Sequence, residues 1–283
     1  MNLFEIVPNL SEGRDERTID ACVDAVEKCG ARVLHRTSDA AHNRSVLTVV
    51  GGAANVREAS VALARIASER IDLRRHVGVH PRIGALDVLP FVPLHNATMA
   101  EAVDLANASA SAIWETLGIP SFLYGEAATH DRRRLLAKVR QGQFEGLDAR
   151  FMREGWQPDY GTVPKHASAG AIAVGARPIL IAFNVELATG DVSIAKRIAR
   201  AIRERDGGYR TLRALGLRLS EDLVQVSLNI TDYGATPLYR VVETIRVLAA
   251  IQGVSIIRSE LVGCVPQDAV FACARDYLGC AFG

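Results

Sequence analysis

The sequence lacks the cysteine patterns that would indicate a disulfide framework or a zinc knuckle. It has five cysteines in 283 residues, an odd number, and none of them forms a Cys-x-x-Cys pair. They stand at Cys22, Cys29, Cys264, Cys273 and Cys280. This spacing is typical of free thiols in a reducing compartment, so the sequence predicts a cytoplasmic protein without structural disulfides.

The sequence also lacks an excess of charge and a long hydrophobic run. The 33 Lys and Arg residues balance 32 Asp and Glu residues, which leaves a formal net charge of +1. A nearly neutral chain has no global field that attracts nucleic acid, and we expect no nucleic-acid partner. No window approaches the roughly 20 apolar residues that cross a bilayer, and the N-terminus has no apolar signal segment. We therefore expect no membrane partner.

What the chain does have is the balance of a globular protein, with 49% hydrophobic and 23% charged residues. Its length suffices for two units of ordinary size. Strands and helices alternate, which predicts an α/β (α+β) fold of two subdomains, residues 1–178 and 179–283, each a mixed sheet with helices packed on it. The second subdomain has the order βαββαβ, which predicts a ferredoxin-like arrangement.

Several predicted boundaries bear on the placement of functional residues. Two segments are predicted to be irregular, the loop Arg74–Arg82 and the charged region from about Gly125 to Gly170. Within the second, only one helix is predicted. The relevant elements are a strand Leu3–Pro8 followed by a polar loop, a helix Arg17–Cys29, strands Ala31–His35 and Ser45–Val50 separated by a polar turn, and the helix Arg133–Gln141.

Two polar segments follow predicted strands, where open α/β sheets usually place ligands. The first, Val7–Gly13, is also explained as a helix entry in which Ser11 or Asn9 caps the helix. The second, Ser38–Ser45, collects an acid, an imidazole, an amide and a guanidinium within a few residues. Because Asp and Asn are common turn residues, an ordinary turn explains this segment equally well.

A third segment contains His76 and His80, four residues apart. On a helix this spacing would suggest two zinc ligands, but Gly78 and Pro81 forbid a regular helix and no Glu or Cys completes the set. We therefore expect no metal. An imidazole with an ordinary pKa near 6.5 suits proton transfer at neutral pH. Arg82 and Asp87 lie close enough in sequence to tune it.

A fourth segment, Gly170–Pro178, is rich in small residues that would let a planar ligand approach the backbone. Arg177 could bind a carboxylate or phosphate through two parallel hydrogen bonds. A plain strand that crosses between the two subdomains is an equally good interpretation. Residue types alone thus indicate a small-molecule enzyme with His, Asp and Arg at its site, and they name no reaction.

Five blocks stand out together along nearly the whole chain, in the order Val7–Gly13, His42–Ser45, His80–Val88, Tyr124–Ala128 and Gly175–Asn184. In this order they resemble the glutamate formiminotransferase family, including the formiminotransferase half of formiminotransferase-cyclodeaminase.

The resemblance implies transfer of a formimino group from N-formimino-L-glutamate to N5 of tetrahydrofolate. The products would be glutamate and 5-formiminotetrahydrofolate, in the degradation of histidine. It further implies a homodimer, tetrahydrofolate as co-substrate in a cleft between two subdomains, and no metal or covalent intermediate. The cyclodeaminase domain is expected to be missing, so that a separate enzyme would process the product.

The resemblance also assigns roles to residues. His80 corresponds to the catalytic acid–base residue and Asp39 to an active-site aspartate that orients the imidazole or stabilises its charged form. Arginines suit substrates that bring carboxylates, and the candidates are Arg44, Arg82 and Arg177, followed by Lys165 and His166. The folate-binding stretch comprises Gly175, Ala176, Arg177, Pro178, Ile179, Leu180, Ile181, Ala182, Phe183 and Asn184.

One position departs from the family pattern, and one acid is assigned no catalytic role. Relatives often have a second acid before the His-Asn-Arg-Ser block, whereas this chain has Ala41. That difference questions the role of His42 and leaves the role of His80 intact. Asp87 is expected to be a structural carboxylate.

Two other functions compete with the transferase. A hydrolase of the same fold would release glutamate from formiminoglutamate with water, without tetrahydrofolate. A regulatory module would bind folate without turnover, since ferredoxin-like units often serve as sensors. The presence of both His80 and Asp39 argues against the regulatory module.

Overall fold

The computed structural model describes residues 2–78, 80–162 and 164–280. Val79 and Val163, which fall in the two segments predicted to be irregular, lie outside the described residues. The chain divides into two units, Met1–Arg177 and Pro178–Gly283. Each unit has its own sheet and its own hydrophobic core.

The first unit is a seven-stranded mixed sheet with helices. Its elements are β1 Leu3–Ile6, β2 Asn9–Leu10, α1 Glu16–Lys28, β3 Arg32–Asp39, β4 Arg44–Gly52, α2 Ala53–Arg70, β5 Leu86–Pro93, α3 Met99–Leu117, β6 Ser121–Gly125, a 3-10 turn Asp131–Arg133, α4 Leu136–Val139, α5 Leu147–Phe151 and β7 Ile172–Ala176.

Strands β1 and β2 lie one after the other between β4 and β5, antiparallel to both. Strand β3 extends the sheet beyond β4, whereas β7 and then β6 extend it beyond β5 in parallel orientation. Strands β5 and β7 are buried along nearly their whole length, as expected for inner strands of a mixed sheet covered on both faces. Their burial explains why their sequences are almost entirely apolar.

Local sequence signals set the ends of the helices. Asp15 caps α1 by accepting a hydrogen bond from the backbone N–H of Arg17 at 3.1 Å. Thr98 and Glu101 form a capping box at the start of α3, and Gly118 ends that helix in the left-handed conformation. These caps fix the lengths of the connections that lead into and out of the sheet.

Two buried arginines organise the irregular region between β6 and β7. The guanidinium of Arg133 is ion-paired with Asp159 and donates to the carbonyl oxygens of Gly155 and Gln157 at 2.8 and 2.6 Å. The guanidinium of Arg150 lies 3.7 Å from the centre of the Trp156 ring. The same guanidinium donates to three carbonyl oxygens at the end of α4, those of Lys138, Val139 and Gln141.

In this region the structure differs from one of the predicted helices. A continuous helix Arg133–Gln141 is wrong, because a 3-10 turn ends at Arg133 and the next helix, α4, covers only Leu136–Val139. The physical reason is that the carbonyl oxygens at the end of α4 accept hydrogen bonds from Arg150, so side chains take the place of a continued helical ladder.

Two further boundaries differ from the sequence prediction. Strand β3 continues to Asp39, beyond the predicted end at His35, because its edge pairs with β4 as far as Arg44. The segment Asn9–Leu10 was predicted to be loop and is the short strand β2, which pairs with β4 and β5.

The second unit is a four-stranded antiparallel sheet with the strand order β11-β8-β10-β9. Apolar residues of α6 and α7 form its core together with one face of the strands. The elements are β8 Ile181–Leu187, α6 Val192–Ile202, a 3-10 turn Glu204–Asp206, β9 Leu212–Arg218, β10 Val224–Ile230, α7 Leu238–Ile251, β11 Ile256–Val262 and α8 Gln267–Leu278.

The mixed α/β class predicted from the sequence is confirmed. Within the described ranges, no helix combines the length and the apolar character needed to cross a bilayer.

The Arg133–Asp159 pair gives a stability prediction. Replacing Arg133 with Met leaves the buried carboxylate of Asp159 without its cation, so the free energy of unfolding should fall by about 3–5 kcal/mol in urea denaturation. Arg132→Met is the matched control, because Arg132 is exposed and its hydrogen bond to the Glu154 carbonyl is 3.5 Å long. That variant should stay within about 0.5 kcal/mol of the wild type. Equal losses in the two variants would contradict the structural role of Arg133.

Candidate active site

Three segments of the first unit meet around the β3–β4 turn. Asn43, in that turn, accepts a hydrogen bond from the backbone N–H of Gly13 at 2.9 Å. Its side-chain amide donates to the carbonyl oxygen of Val77 at 3.2 Å, and its own carbonyl oxygen lies 3.0 Å from Nε2 of His76. Asn43 adopts a left-handed backbone with φ of 50°, a conformation that Asn tolerates better than most residues. One residue thus joins the segment before α1, the β3–β4 turn and the loop after α2.

Two glycines permit this close packing. A Cβ atom on Gly13 would lie 2.5 Å from the backbone nitrogen of Arg44, and one on Gly78 would lie 2.5 Å from the carbonyl oxygen of His42. No real side chain fits at these distances. Gly13 therefore lets the segment before α1 pack against the turn that carries His42 and Arg44, and Gly78 lets the loop that carries His80 pack against the same turn.

His80 lies at the centre of this arrangement and is partly buried. Its Nε2 atom contacts a guanidinium nitrogen of Arg44. Because a guanidinium only donates, we infer that Nε2 is the acceptor and that the imidazole proton is on Nδ1. The His42 ring lies edge-on to it, with ring centres 6.4 Å apart.

The surroundings of His80 keep it neutral. Burial, followed by the positive charges of Arg44 and Arg140 and by His42, lowers the pKa of His80 from 6.5 to about 3. A hydrogen bond to the backbone of Pro81 opposes this shift only partly. At neutral pH, His80 is therefore an imidazole that can accept a proton, and its protonated form would be a strong acid.

Among the described residues, Arg44 is a cation of this site that forms no ion pair with a carboxylate. Burial, followed by the charge of Arg140, lowers its pKa to about 10, so it is still charged at neutral pH. Its side-chain contact is with His80, and its buried Nε atom has no hydrogen-bond partner among the described residues. No ion pair between Arg44 and a carboxylate occurs within those residues either. A buried cation in this state is a ready receptor for an anion.

Asp39 lies next to His42 and not next to His80. Oδ2 of Asp39 is 2.7 Å from Nδ1 of His42, and Oδ1 accepts the backbone N–H of His42 at 2.8 Å. Burial raises the pKa of Asp39, but these hydrogen bonds from His42 outweigh it and lower the pKa. Both side chains are about half exposed. Asp39 therefore holds His42, the residue whose role Ala41 had placed in question.

Arg82 is engaged by a carboxylate of the same unit. Its guanidinium forms a two-pronged ion pair with Glu145 at 2.7 and 2.9 Å. Its Nε atom donates to Nδ1 of His76 at 3.2 Å. Only 9% of the Arg82 side chain is exposed. Its hydrogen bonds hold the His80 loop against the region between β6 and β7.

His76 is placed like a structural residue. One ring nitrogen accepts from Arg82 and the other faces the carbonyl oxygen of Asn43. Across the ranges that the structure covers, no group of three or more His, Cys, Asp or Glu side chains is arranged to hold a metal ion.

Gly175 and Ala176, the start of the predicted folate-binding stretch, are buried in β7. A Cβ atom on Gly175 would lie 2.6 Å from the ring of Tyr124, so the glycine accommodates that tyrosine. Tyr124 is hydrogen-bonded to Arg177, and burial raises its pKa while the charge of Arg177 opposes the shift. Arg177 also opposes the rise that burial causes in the pKa of Glu5.

The rest of that stretch belongs to the second unit and includes the first residues of β8. Ile181 is buried in the core of that unit. Phe183 and Asn184 are partly exposed, and the Asn184 amide donates to Glu260 at 3.0 Å. The predicted folate-binding stretch therefore spans the end of one unit and the beginning of the other.

Lys165 and His166 make contacts within the first unit. Lys165 is ion-paired with Asp148 and lies 4.9 Å from the centre of the Phe144 ring. Nδ1 of His166 accepts the backbone N–H of Ala169 at 3.0 Å, and burial lowers the pKa of this imidazole.

Arg140 is the site residue that the sequence did not reveal. It ends α4, and its charge acts on both His80 and Arg44. It lies about 60 residues after His80 in a region without periodic hydrophobicity, so the sequence carries no signal that joins the two. Asp87, expected to be structural, is its ion-pair partner at 2.5 Å.

The sequence is similar to known formiminotransferases over nearly its whole length. Residues 3–177 match the N-terminal subdomain of the formiminotransferase domain, and residues 182–280 match the formiminotransferase domain. The glutamate formimidoyltransferase of Streptococcus pyogenes serotype M1 is 44% identical over 98% of this chain and 93% of the relative. That of Thermoplasma acidophilum is 42% identical over the same shares. The formimidoyltransferase-cyclodeaminase of Dictyostelium discoideum is 38% identical over 98% of this chain and 53% of the relative.

The low pKa of His80 predicts a dependence of stability on pH. The pKa is about 3 in the folded protein against an ordinary value of 6.5, so between these values the unfolded chain binds a proton that the folded protein does not. The stability from neutral His80 is complete above pH 6.5 and is lost as the pH falls toward 3. In His80→Gln, which keeps an acceptor near Arg44 but cannot titrate, the unfolding free energy should fall less steeply from about pH 6.5 to about 4.5.

Urea denaturation across this pH range measures the slope. His95→Gln serves as the control, because His95 is exposed and should leave the wild-type slope unchanged. A His80→Gln slope equal to that of the wild type would show that the folded protein does not disfavour the charged form of His80.

Proposed function

Because this chain belongs to the formiminotransferase family, we propose that it is a glutamate formimidoyltransferase. It transfers the formimino group of N-formimino-L-glutamate to N5 of tetrahydrofolate and releases glutamate and 5-formiminotetrahydrofolate. The observation that carries this proposal is the contact between a neutral, partly buried His80 and an Arg44 that has no carboxylate partner among the described residues. The two residues offer a base and an anion receptor side by side.

His80 is the general acid and base of the proposed reaction. N5 of tetrahydrofolate attacks the formimino carbon, and a new N–C bond forms in a tetrahedral adduct. The attacking nitrogen becomes positively charged and hence acidic, so a base with a low pKa suffices to remove its proton. His80 then gives this proton to the glutamate nitrogen as the old C–N bond breaks. The charges of Arg44 and Arg140 make the protonated His80 a strong acid, which favours this second step.

Arg44 is proposed to bind the α-carboxylate of formiminoglutamate. Both substrates have carboxylates, but those of tetrahydrofolate are at the far end of the molecule from N5. In formiminoglutamate, the α-carboxylate is attached to the carbon that bears the reacting nitrogen. A carboxylate that takes up the Arg44 guanidinium therefore places that nitrogen beside His80 and frees the Nε2 lone pair of His80 to accept a proton. It also offsets the positive charge near His80 and moves the pKa of His80 back toward its ordinary value.

The first unit supplies His80, Asp39 and Arg44, and tetrahydrofolate binds along Gly175–Asn184, where Arg177 provides a cation and Phe183 a partly exposed aromatic ring. Asp39 is proposed to act through His42, which it holds at 2.7 Å. A homodimer in the cytoplasm belongs to the same proposal.

The first test is the dependence of the reaction on tetrahydrofolate. Purified protein is incubated with formiminoglutamate, and glutamate release and the absorbance of the folate product are followed together. We expect both signals to require tetrahydrofolate and to appear in equal amounts. Release of glutamate without folate would identify a hydrolase, and binding of folate without turnover would identify a binding module.

Replacement of His80 tests the acid–base role. We expect His80→Ala to lower turnover at least about 10²-fold while tetrahydrofolate still binds, because the side chain handles protons and does not hold the pterin. His95→Ala, at an exposed histidine, should match the wild type. Near-normal turnover in His80→Ala would remove His80 from the mechanism.

Replacement of Arg44 tests the carboxylate assignment. Loss of a charged hydrogen-bonding pair costs about 1.5–3 kcal/mol, so Arg44→Met should raise the KM for formiminoglutamate about 10- to 100-fold. The KM for tetrahydrofolate should change less than about threefold. Arg36→Met is the control, because Arg36 on β3 is partly exposed and paired with Glu16 and Asp20. A larger effect on tetrahydrofolate than on formiminoglutamate would overturn the assignment.

A further inference from the structure

Arg140 and Asp87 form an ion pair that is almost closed off from solvent. Nη2 of Arg140 lies 2.5 Å from Oδ2 of Asp87, with side-chain exposures of 12% and 3%. Removing two charges from water is costly, so a buried pair of this kind is poor evidence for stability alone. Because the charge of Arg140 also acts on His80, the pair calls for a further explanation.

Asp87 connects this ion pair to the loop that carries His80. Its second carboxylate oxygen, Oδ1, accepts the backbone N–H of Ile83 at 2.7 Å. Ile83 is three residues after His80, and its own carbonyl oxygen accepts the backbone N–H of Ala171 at 3.0 Å. Because Asp87 is on the inner strand β5, the carboxylate is a fixed point from which the end of the loop is held.

The other end of the ion pair is also fixed. Arg140 immediately follows α4, and the carbonyl oxygens of Lys138, Val139 and Gln141 on either side of it accept hydrogen bonds from the Arg150 guanidinium. That guanidinium is stacked 3.7 Å from the centre of the Trp156 ring. The backbone that carries Arg140 is thus clamped independently of Asp87.

The charge of Arg140 reaches the reacting group. It acts on His80 together with Arg44, and it acts on Arg44 as well. The charged and titratable groups that act on His80 are Arg44 from β4, Arg140 from the end of α4 and His42 from the β3–β4 turn, with Asp87 of β5 behind Arg140. Arg140 therefore influences His80 both through the backbone and through its charge.

We propose that Arg140 is a positioning residue for the transfer at His80, acting through Asp87 and the backbone turn at Ile83 and also through its own positive charge. The inference rests on the proposed function for its kinetic consequences. The effect of Arg140 on the position and protonation of His80 does not depend on which substrate the site binds. A purely structural ion pair would contribute to stability and leave the chemistry of His80 unchanged.

The test compares Arg140→Met, Arg140→Lys and Asp87→Asn with the control Arg134→Met, all in the full chain. Arg134 lies in the same region, is exposed, and pairs with Glu126 and Asp131. The first readout is the titration of the His80 imidazole by NMR without substrates, with its resonance identified by its loss in His80→Gln. The second is kcat and KM for formiminoglutamate, and thermal unfolding checks that each variant is folded.

For Arg140→Met we expect the pKa of His80 to rise by about one unit or more, since a nearby positive charge is removed. We also expect kcat to fall about 10-fold or more, with KM for formiminoglutamate changed less than about threefold. Arg140→Lys keeps the charge and should restore the wild-type titration, while kcat recovers only in part. Asp87→Asn should lower kcat by a similar factor as Arg140→Met.

The outcomes separate this inference from the proposed function. An unmoved His80 titration in folded Arg140→Met overturns the inference whatever the substrate. If Arg140→Met does not fold, Arg140→Lys and Asp87→Asn decide, and wild-type kcat in both overturns it. A shifted titration in a protein without transferase activity supports the link between Arg140 and His80 and refutes only the assigned reaction.

Discussion

The contact between Arg44 and His80 depends on how closely two backbone segments can approach. The β3–β4 turn packs against the segment before α1 at Gly13 and against the loop after α2 at Gly78, because a Cβ atom on either glycine would overlap the backbone of the turn. Asn43 joins the same segments through its amide and its left-handed backbone. If these segments were farther apart, Arg44 would be solvated and His80 would titrate like an ordinary histidine. The low pKa of His80 thus depends on the two glycines, because they let these segments pack closely enough to bury His80 and Arg44 together.

Most charged side chains of the site are paired with a partner of opposite charge. Arg82 is neutralised by Glu145 and Arg140 by Asp87. His42 is paired with Asp39. In the part of the chain that the structure covers, Arg44 is the site cation for which no such carboxylate is found, and it is the one in contact with His80. Because the other charges are already matched, an incoming carboxylate has a preferred destination beside the base.

The sequence was informative where a local pattern decides the structure. The apolar runs of β5 and β7 follow from composition and spacing, so the mixed α/β class could be predicted, whereas α1 is capped by Asp15 and not by Ser11 or Asn9 as the sequence had suggested. The helix predicted over Arg133–Gln141 failed because the side chain of Arg150, outside the segment, takes carbonyl oxygens at its end.

For the site as well, the residues of local motifs could be predicted, whereas contacts between distant segments could not. His80 and Arg44 stood out because their motifs are local, and the resemblance to a family selected His80 over His76. Arg140 did not stand out, because its partner Asp87 is more than 50 residues away in sequence. The partner of His80 was expected to be Asp39, yet Asp39 holds His42 and Arg44 contacts His80. Pairings across the fold depend on tertiary packing, which a single sequence does not display.

The region between β6 and β7 has a consequence for motion. The side chains of Arg133 and Arg150 hold several of its backbone carbonyl oxygens, whereas the neighbouring strands β5, β7 and β6 are joined by backbone ladders. Regions anchored by a few side chains open locally at a lower free energy than inner strands. Such an opening withdraws Arg140 from Asp87 and leaves β5 in place. A local opening of this region would therefore change the surroundings of His80 while the backbone ladders between β5, β7 and β6 stay intact.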